Sequence, residues 1–325
     1  MPSLKAIRTR IVSVKSTQKI TRAMKMVAGA RLNRAQQRIV AMRPYAVKTG
    51  EILQSVAATI PAEGGVVAGS SAPAADAPEA TPADVVLPDP QSGPPHPLLA
   101  KRPETRVLFI VLSADRGLCG AFNTNVNKAT EREWRDKEAK GAKVSFLTLG
   151  RKGREYLTRR GGTIAKDFPK VYEGLDLGKG RMVAAWMVGH FLNKDFDSVY
   201  LVYNEFKSAM TQKTSVERLL PLPEPAKPAS SNADSAAPPN ELLFEPNKHA
   251  LLERLVPMYV EISIYRAMLE SQAGFFGAQM TAMDAATRNA KEMIGRLTLA
   301  YNRARQAAIT KELMEIIGGA EALKE

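Results

Sequence analysis

The sequence predicts an α/β protein carried on a long antiparallel coiled coil, which its own N- and C-terminal helices form. Three observations point there. An apolar seam with alternating spacings of three and four opens the chain, a longer seam of the same kind closes it, and short β-rich runs alternate with helical segments between them.

The first seam reads Leu4, Ile7, Ile11, Val14, Gln18, Thr21, Lys25, Ala28, Leu32, Ala35, Ile39 and Met42. Its ends are apolar and its middle is polar. Ile20, Met24 and Val27 lie beside that gap, so the stripe is expected to slip to a neighbouring track there, as at a stutter. Pro44 is expected to kink or end the helix.

The closing seam starts from Leu255 and reads Tyr259, Ile262, Arg266, Leu269, Ala273, Phe276, Met280, Met283, Thr287, Ala290, Ile294, Leu297, Tyr301, Ala304 and Ala308. Only Arg266 and Thr287 are polar, and Gly318-Gly319 is the expected stop. A helix of about sixty residues is on the order of 90 Å long, far beyond the need of a globular core. Each long helix has one apolar stripe to bury, and packing the two on each other is the economical solution. The alternative is two separate coiled-coil dimers within a homo-oligomer.

Between them, VLFIVL (Val107 to Leu112), VSFLTL (Val144 to Leu149) and VYLVY (Val199 to Tyr203) read as strands. Asn123 to Lys140, Arg151 to Arg160 and Lys179 to Asn193 read as helices, so the middle is expected to be a Rossmann-like domain with a mostly parallel sheet. Two stretches rich in Pro, Ala, Ser and Gly, residues 61–103 and 221–240, read as flexible insertions. The expected organisation is an N-terminal coiled-coil helix (1–59), an insertion (60–104), the α/β domain (105–222), a second insertion (223–240) and the C-terminal helix with a foot segment (241–325).

The net charge of +13 belongs to one segment. The first acidic side chain is Glu51, and twelve basic residues precede it; the rest of the chain is nearly balanced, with 34 basic and 33 acidic residues. A single cysteine, Cys119, excludes an intramolecular disulfide and a cysteine-cluster metal site. No apolar run is long enough to span a membrane. An Arg-rich, acid-free start is also how a mitochondrial transit peptide reads, but such peptides do not hold a heptad register for forty residues.

The loop SADRGLCGAFNTN (113–125) follows a strand and enters a helix, the place where anions bind. It matches neither the dinucleotide glycine pattern nor the P-loop, so Gly117 and Gly120 are read as turn formers, and Asp115 with Arg116 as a loop ion pair. Nothing gathers His96, His190 and His249 into a metal site or a triad. No cofactor and no catalytic residue is expected. The basic helix suits a polyanion, which leaves a coiled-coil nucleic-acid-binding protein as the alternative, although no aromatics are interleaved and no reading motif is present.

MPSLKAIRTRIVSVKSTQKITRAMKMVAGARL at the start resembles the N-terminus of the γ subunit of bacterial F-type ATP synthase. ITKELMEIIGGAEA (309–322) is similar to that family's C-terminal signature, SADRGLCGAFN to its strand-end loop, and VYNEFKSAMTQKTSVERLLPL (202–222) to its later strands. The resemblance implies a central rotor shaft without catalytic residues. The coiled coil would enter the α3β3 ring, where the β subunits hold the catalytic sites. The α/β domain would sit lower, against the ε subunit and the c-ring, at the cytoplasmic face of the bacterial inner membrane.

It also implies contacts. Lys19, Arg22 and Lys25, beside Met24, correspond to the level of an acidic β loop, which would explain a segment free of carboxylates. Arg305, Gln306, Thr310 and Glu312 correspond to upper contacts with β, and the apolar tip (Ile309, Leu313, Ile316, Ile317, Ala320) suits turning in an apolar sleeve. Leu242, Phe244 and Glu245 match the segment facing the c-ring and ε. Gln279 stands where many relatives carry an arginine, and Arg288 is the expected substitute. The two-cysteine redox switch of the chloroplast form is absent.

Overall fold

The computed structural model describes residues 3–59, 96–222 and 248–322. Two helices dominate it: α1 (Leu4–Thr59) and α5 (Lys248–Ala322), of 56 and 75 residues. They pack on each other in antiparallel fashion, and α5 alone is roughly 110 Å long at 1.5 Å per residue.

The α1 seam holds at every position. Ile7, Thr21, Ala28, Leu32, Ala35 and Ile39 are buried and the remaining seam residues are half-buried. The expected slip does not occur: Ile20 and Val27 are 56% and 52% exposed. The physical reason is that Thr21 and Lys25, polar residues of the seam, find partners across the helix pair, so the stripe has no need to move. Pro44 does not end the helix either, and α5 likewise runs through Pro257. Each proline forfeits a backbone hydrogen bond, but packing on both sides of Pro44, from buried Ile39 to buried Leu53, keeps the chain helical through it. Nor does α5 stop at Gly318-Gly319, because neither glycine adopts the left-handed conformation of a C-cap.

The chain between the long helices forms one five-stranded sheet in the order β3-β2-β1-β4-β5. Strands β1 (Arg106–Leu112), β2 (Lys143–Leu149), β3 (Thr163–Phe168) and β4 (Ser198–Phe206) are parallel. β5 (Gln212–Leu220) pairs antiparallel with β4. Helices α2 (Phe122–Ala139), α3 (Arg151–Arg159) and α4 (Leu177–Leu192) make the connections. β3 and β5 carry little hydrophobic pattern because they are the sheet's edges. TIAKDF is nowhere fully buried, and QKTSVERLL is buried only at its last two residues.

Side-chain alternation along β1 divides the core. Leu108, Ile110 and Leu112 point to the face covered by α4 and α5, with Val183, Met187 and Leu269. Val107, Phe109 and Val111 point to the face covered by α2 and α3, where Phe109 stacks on Tyr200 (5.4 Å) and Trp134 meets Phe146 edge-on (5.0 Å).

Residues 96–104, grouped by composition with the first insertion, are part of the fold. Leu98 is fully buried, Arg102 lies 5.0 Å over the Phe191 ring, and Glu104 pairs with Lys137 at 2.5 Å and with the Tyr200 hydroxyl at 2.8 Å. Burial alone would raise the Glu104 pKa, but the bonds from Lys137 and Tyr200 outweigh it and hold the carboxyl below its ordinary value. Leu242, Phe244 and Glu245 lie outside the described residues.

Candidate functional site

The basic half of α1 meets α5 through a polar layer. Thr21 and Thr287 share a hydrogen bond of 2.8 Å, and Thr287 Oγ1 also bonds to the Met283 carbonyl at 2.7 Å. One turn further along α1, the Lys25 ammonium lies 2.5 Å from Asp284 Oδ1, and Arg288 Nη1 approaches Asp284 Oδ2 at 3.3 Å. The Lys25 hydrogen bond, with the positive charge behind it, holds the Asp284 carboxyl below the usual carboxylate range. These contacts occupy the seam positions that sequence reasoning expected the stripe to avoid.

The sequence-predicted contact residues therefore separate into two groups. Lys25 faces inward to Asp284, and Arg288 is tied to the same carboxylate. Lys19 and Arg22 are exposed, have no ion-pair partner among the described residues, and share a ridge with exposed Lys15 at spacings of four and three. Met24 is half-buried. Gln279 is half-buried beside Met280, whose sulfur would lie 3.5 Å from a Cβ placed on Gly29. Asp284 escaped the sequence reading; its only local signal is Arg288 four residues on.

At its far end α5 outruns α1. Tyr301, Ala304 and Ala308 are the last half-buried seam residues. Beyond them Arg305, Gln306, Thr310 and Glu312 are all exposed, and the Thr310 hydroxyl donates to the Gln306 carbonyl at 3.0 Å. Ile309, Leu313, Ile316 and Ile317 are 53%, 54%, 68% and 51% exposed, so the tip is a single helix with uncovered aliphatic side chains. A lone soluble helix does not normally keep so many exposed aliphatics without something to meet them.

Midway along the helix pair, the loop after β1 is fixed by Asn123, which accepts from the Ala114 amide at 2.9 Å and donates to the Arg116 carbonyl at 3.3 Å. Gly120 takes a positive φ of 56°, as a turn former should; Gly117 does not. Asp115 does not pair with Arg116. Its carboxylate accepts from the Arg151 amide (3.1 Å) at the start of α3. Cys119 is buried, and burial raises its thiol pKa.

Among the described residues no three His, Cys, Asp or Glu side chains gather as metal ligands, and no described helix is long and apolar enough to cross a membrane.

A family pattern described as ATP synthase matches residues 3–323. The ATP synthase gamma chain of Sorangium cellulosum (strain So ce56) is 55% identical to this chain, and that of Geobacter sp. (strain M21) 43%; both alignments cover all of each chain. Among solved structures, the rotor of the Euglena gracilis mitochondrial ATP synthase in rotational state 1 superposes with a TM-score of 0.57. It is 17% identical, over 94% of this chain and 98% of that one. The central stalk and c-ring structure of the Tetrahymena thermophila enzyme gives 0.56 at 18% identity, over 82% of this chain and 99% of that one. At such identities the superpositions speak to the fold. None of these relatives supports the nucleic-acid reading of the basic helix. With a matched pattern spanning nearly the whole chain and full-length relatives at these identities, the chain belongs to the ATP synthase gamma chain family.

Proposed function

We propose that this chain is the central rotor shaft of an F-type ATP synthase and that it transmits torque without catalysing a reaction itself. The coiled coil enters the α3β3 ring, the α/β domain faces ε and the c-ring, and ATP chemistry takes place on β. The chain is held peripherally, at the cytoplasmic face of the bacterial inner membrane, through the complex. One observation carries the reading: α5 extends past α1 as a lone helix whose Ile309, Leu313, Ile316 and Ile317 are more than half exposed. An axle tip turning in an apolar collar needs that surface.

The contact residues follow the same reading. The exposed ridge of Lys19 and Arg22 meets an acidic stator loop, while Lys25, held by Asp284, and Met24 support the ridge from behind. Exposed ion pairs contribute only about 0–1 kcal/mol, which suits a surface that must exchange partners during rotation. Gln279, Arg305, Gln306, Thr310 and Glu312 contact α or β above it, and Leu242, Phe244 and Glu245 contact the c-ring and ε.

Reconstitution with α and β of the same source tests this. Because Cys119 is buried, the probe is attached at an introduced cysteine, Glu138→Cys, an exposed position near the end of α2. A 3:3:1 complex that rotates the probe on MgATP is the expected result. Lys19→Glu/Arg22→Glu should assemble but rotate with less torque. A complex that hydrolyses MgATP while the probe stays still would overturn the shaft reading.

A further inference from the structure

We propose that the chain carries a binding site for a nucleoside polyphosphate, in a cavity where the middle of the coiled coil meets the sheet. The cavity has a volume of about 460 Å³, within the range of small-molecule sites. It opens at the carboxyl end of β1, lined there by Ser113, Ala114, Asp115 and Arg116. From β1 the chain crosses through α2 to β2 on one side, while β4 lies on the other. That is the switch point at which doubly wound sheets hold their ligands.

Its wall has two chemistries. Arg31, Arg34 and Arg38 come from one face of α1, and Arg116 comes from the loop after β1. Arg34 and Arg116 have no ion-pair partner among the described residues, and Arg38 reaches only the Leu175 carbonyl, at 3.3 Å. Guanidinium groups bind phosphate in bidentate fashion, and four of them oppose two carboxylates, Asp115 and Glu173. The Asp115 carboxylate is already engaged with the Arg151 amide.

The second chemistry is aromatic. Phe275, Phe276 and Tyr172 line the same cavity and are only half-buried, so ring surface is available for a base. Arg31 already lies 5.9 Å over the Phe276 ring. The Tyr172 hydroxyl is itself buried beside Ser271, so this residue offers the cavity its ring and not its donor. A bound nucleotide would bridge α1, α5 and the β1 loop, fixing the angle between the coiled coil and the α/β domain.

Titration calorimetry on the full-length chain tests the site with ADP, tripolyphosphate and adenosine. ADP should bind with a stoichiometry of one, more tightly than either fragment. Arg34→Gln/Arg116→Gln should weaken ADP by about a hundredfold, since each charge-assisted contact contributes about tenfold. Phe276→Leu should weaken ADP but leave tripolyphosphate unchanged. Lys5→Gln/Arg8→Gln, on the same basic helix but far from the cavity, should bind ADP as the parent does. No saturable ADP binding, or tripolyphosphate binding as tightly as ADP, would overturn the proposal. So would equal losses in the two double variants, which would mark a generic polycation. Rotation of the reconstituted complex is read separately, so failure here leaves the shaft reading intact.

Discussion

Lys25 and Asp284 face each other at 2.5 Å across the coiled coil, one turn from the hydrogen bond between Thr21 and Thr287. A polar layer set into an apolar seam fixes register, because any slip leaves its members without partners. Replacing both threonines, Thr21→Val/Thr287→Val, substitutes an apolar pair of the same shape. The unfolding midpoint of the chain should stay level or rise. A loss of more than about 1 kcal/mol would mean the layer is a net source of stability. The depressed Asp284 pKa sets a sign as well. Its contribution is complete above the ordinary carboxylate pKa and fades as pH falls through the lowered one. Asp284→Asn should remove that part of the acid dependence.

Gly150 ends β2 with φ at 103°. A Cβ there would lie 2.2 Å from the Ser113 carbonyl oxygen, and Ser113 is itself locked between the Gly150 carbonyl (3.1 Å) and the Gly153 amide (2.7 Å). Gly150→Ala should cost about 3 kcal/mol or more in denaturant unfolding, from a strained φ combined with a backbone clash.

Leu269 and Leu313 are the same residue type on one helix, 1% and 54% exposed. Leu269→Ala should cost about 2–5 kcal/mol as a core truncation. Leu313→Ala should stay within about 0.5 kcal/mol in the chain alone. Under the shaft reading its effect appears only in the assembled complex, as slower or weaker rotation. A comparable stability loss in both variants would show that the tip is covered within the chain.

Glu270 lies on α5 against the sheet, 5% exposed, with one carboxylate oxygen lacking a hydrogen-bond partner. Burial raises its pKa, and the nearby Arg266 only partly offsets that. For an acid raised in the folded state, stability declines as pH climbs from the ordinary glutamate value through the raised one. Glu270→Gln should therefore raise the melting temperature at neutral pH, and the gain should vanish below about pH 4. A gain that persisted in acid would place the cause in packing.

Both long helices, the seam through each and the three central strands are legible in the residues alone, because burial on one face imposes its own spacing. The basic segment and the residues of the apolar tip are legible for the same reason: charge and hydropathy are written one residue at a time. The edge strand β3 left no comparable trace, and β5 was readable only through the family resemblance. A strand with one neighbour and a solvated face needs few apolar residues.

The rest came from packing between distant segments. Seen locally, Lys25 is one more cation on a basic helix; its partner Asp284 lies 259 residues away, and only helix pairing brings them together. Pro44 and Gly318 are local stop signals that local rules read correctly in isolation, yet seam contacts carry α1 past the one and α5 runs through the other. The cavity is the clearest case. In sequence, Phe276 reads as one seam residue and Arg116 as half of a loop ion pair; with Arg34 they become a wall only because α1 and α5 cross the carboxyl end of β1 at one point.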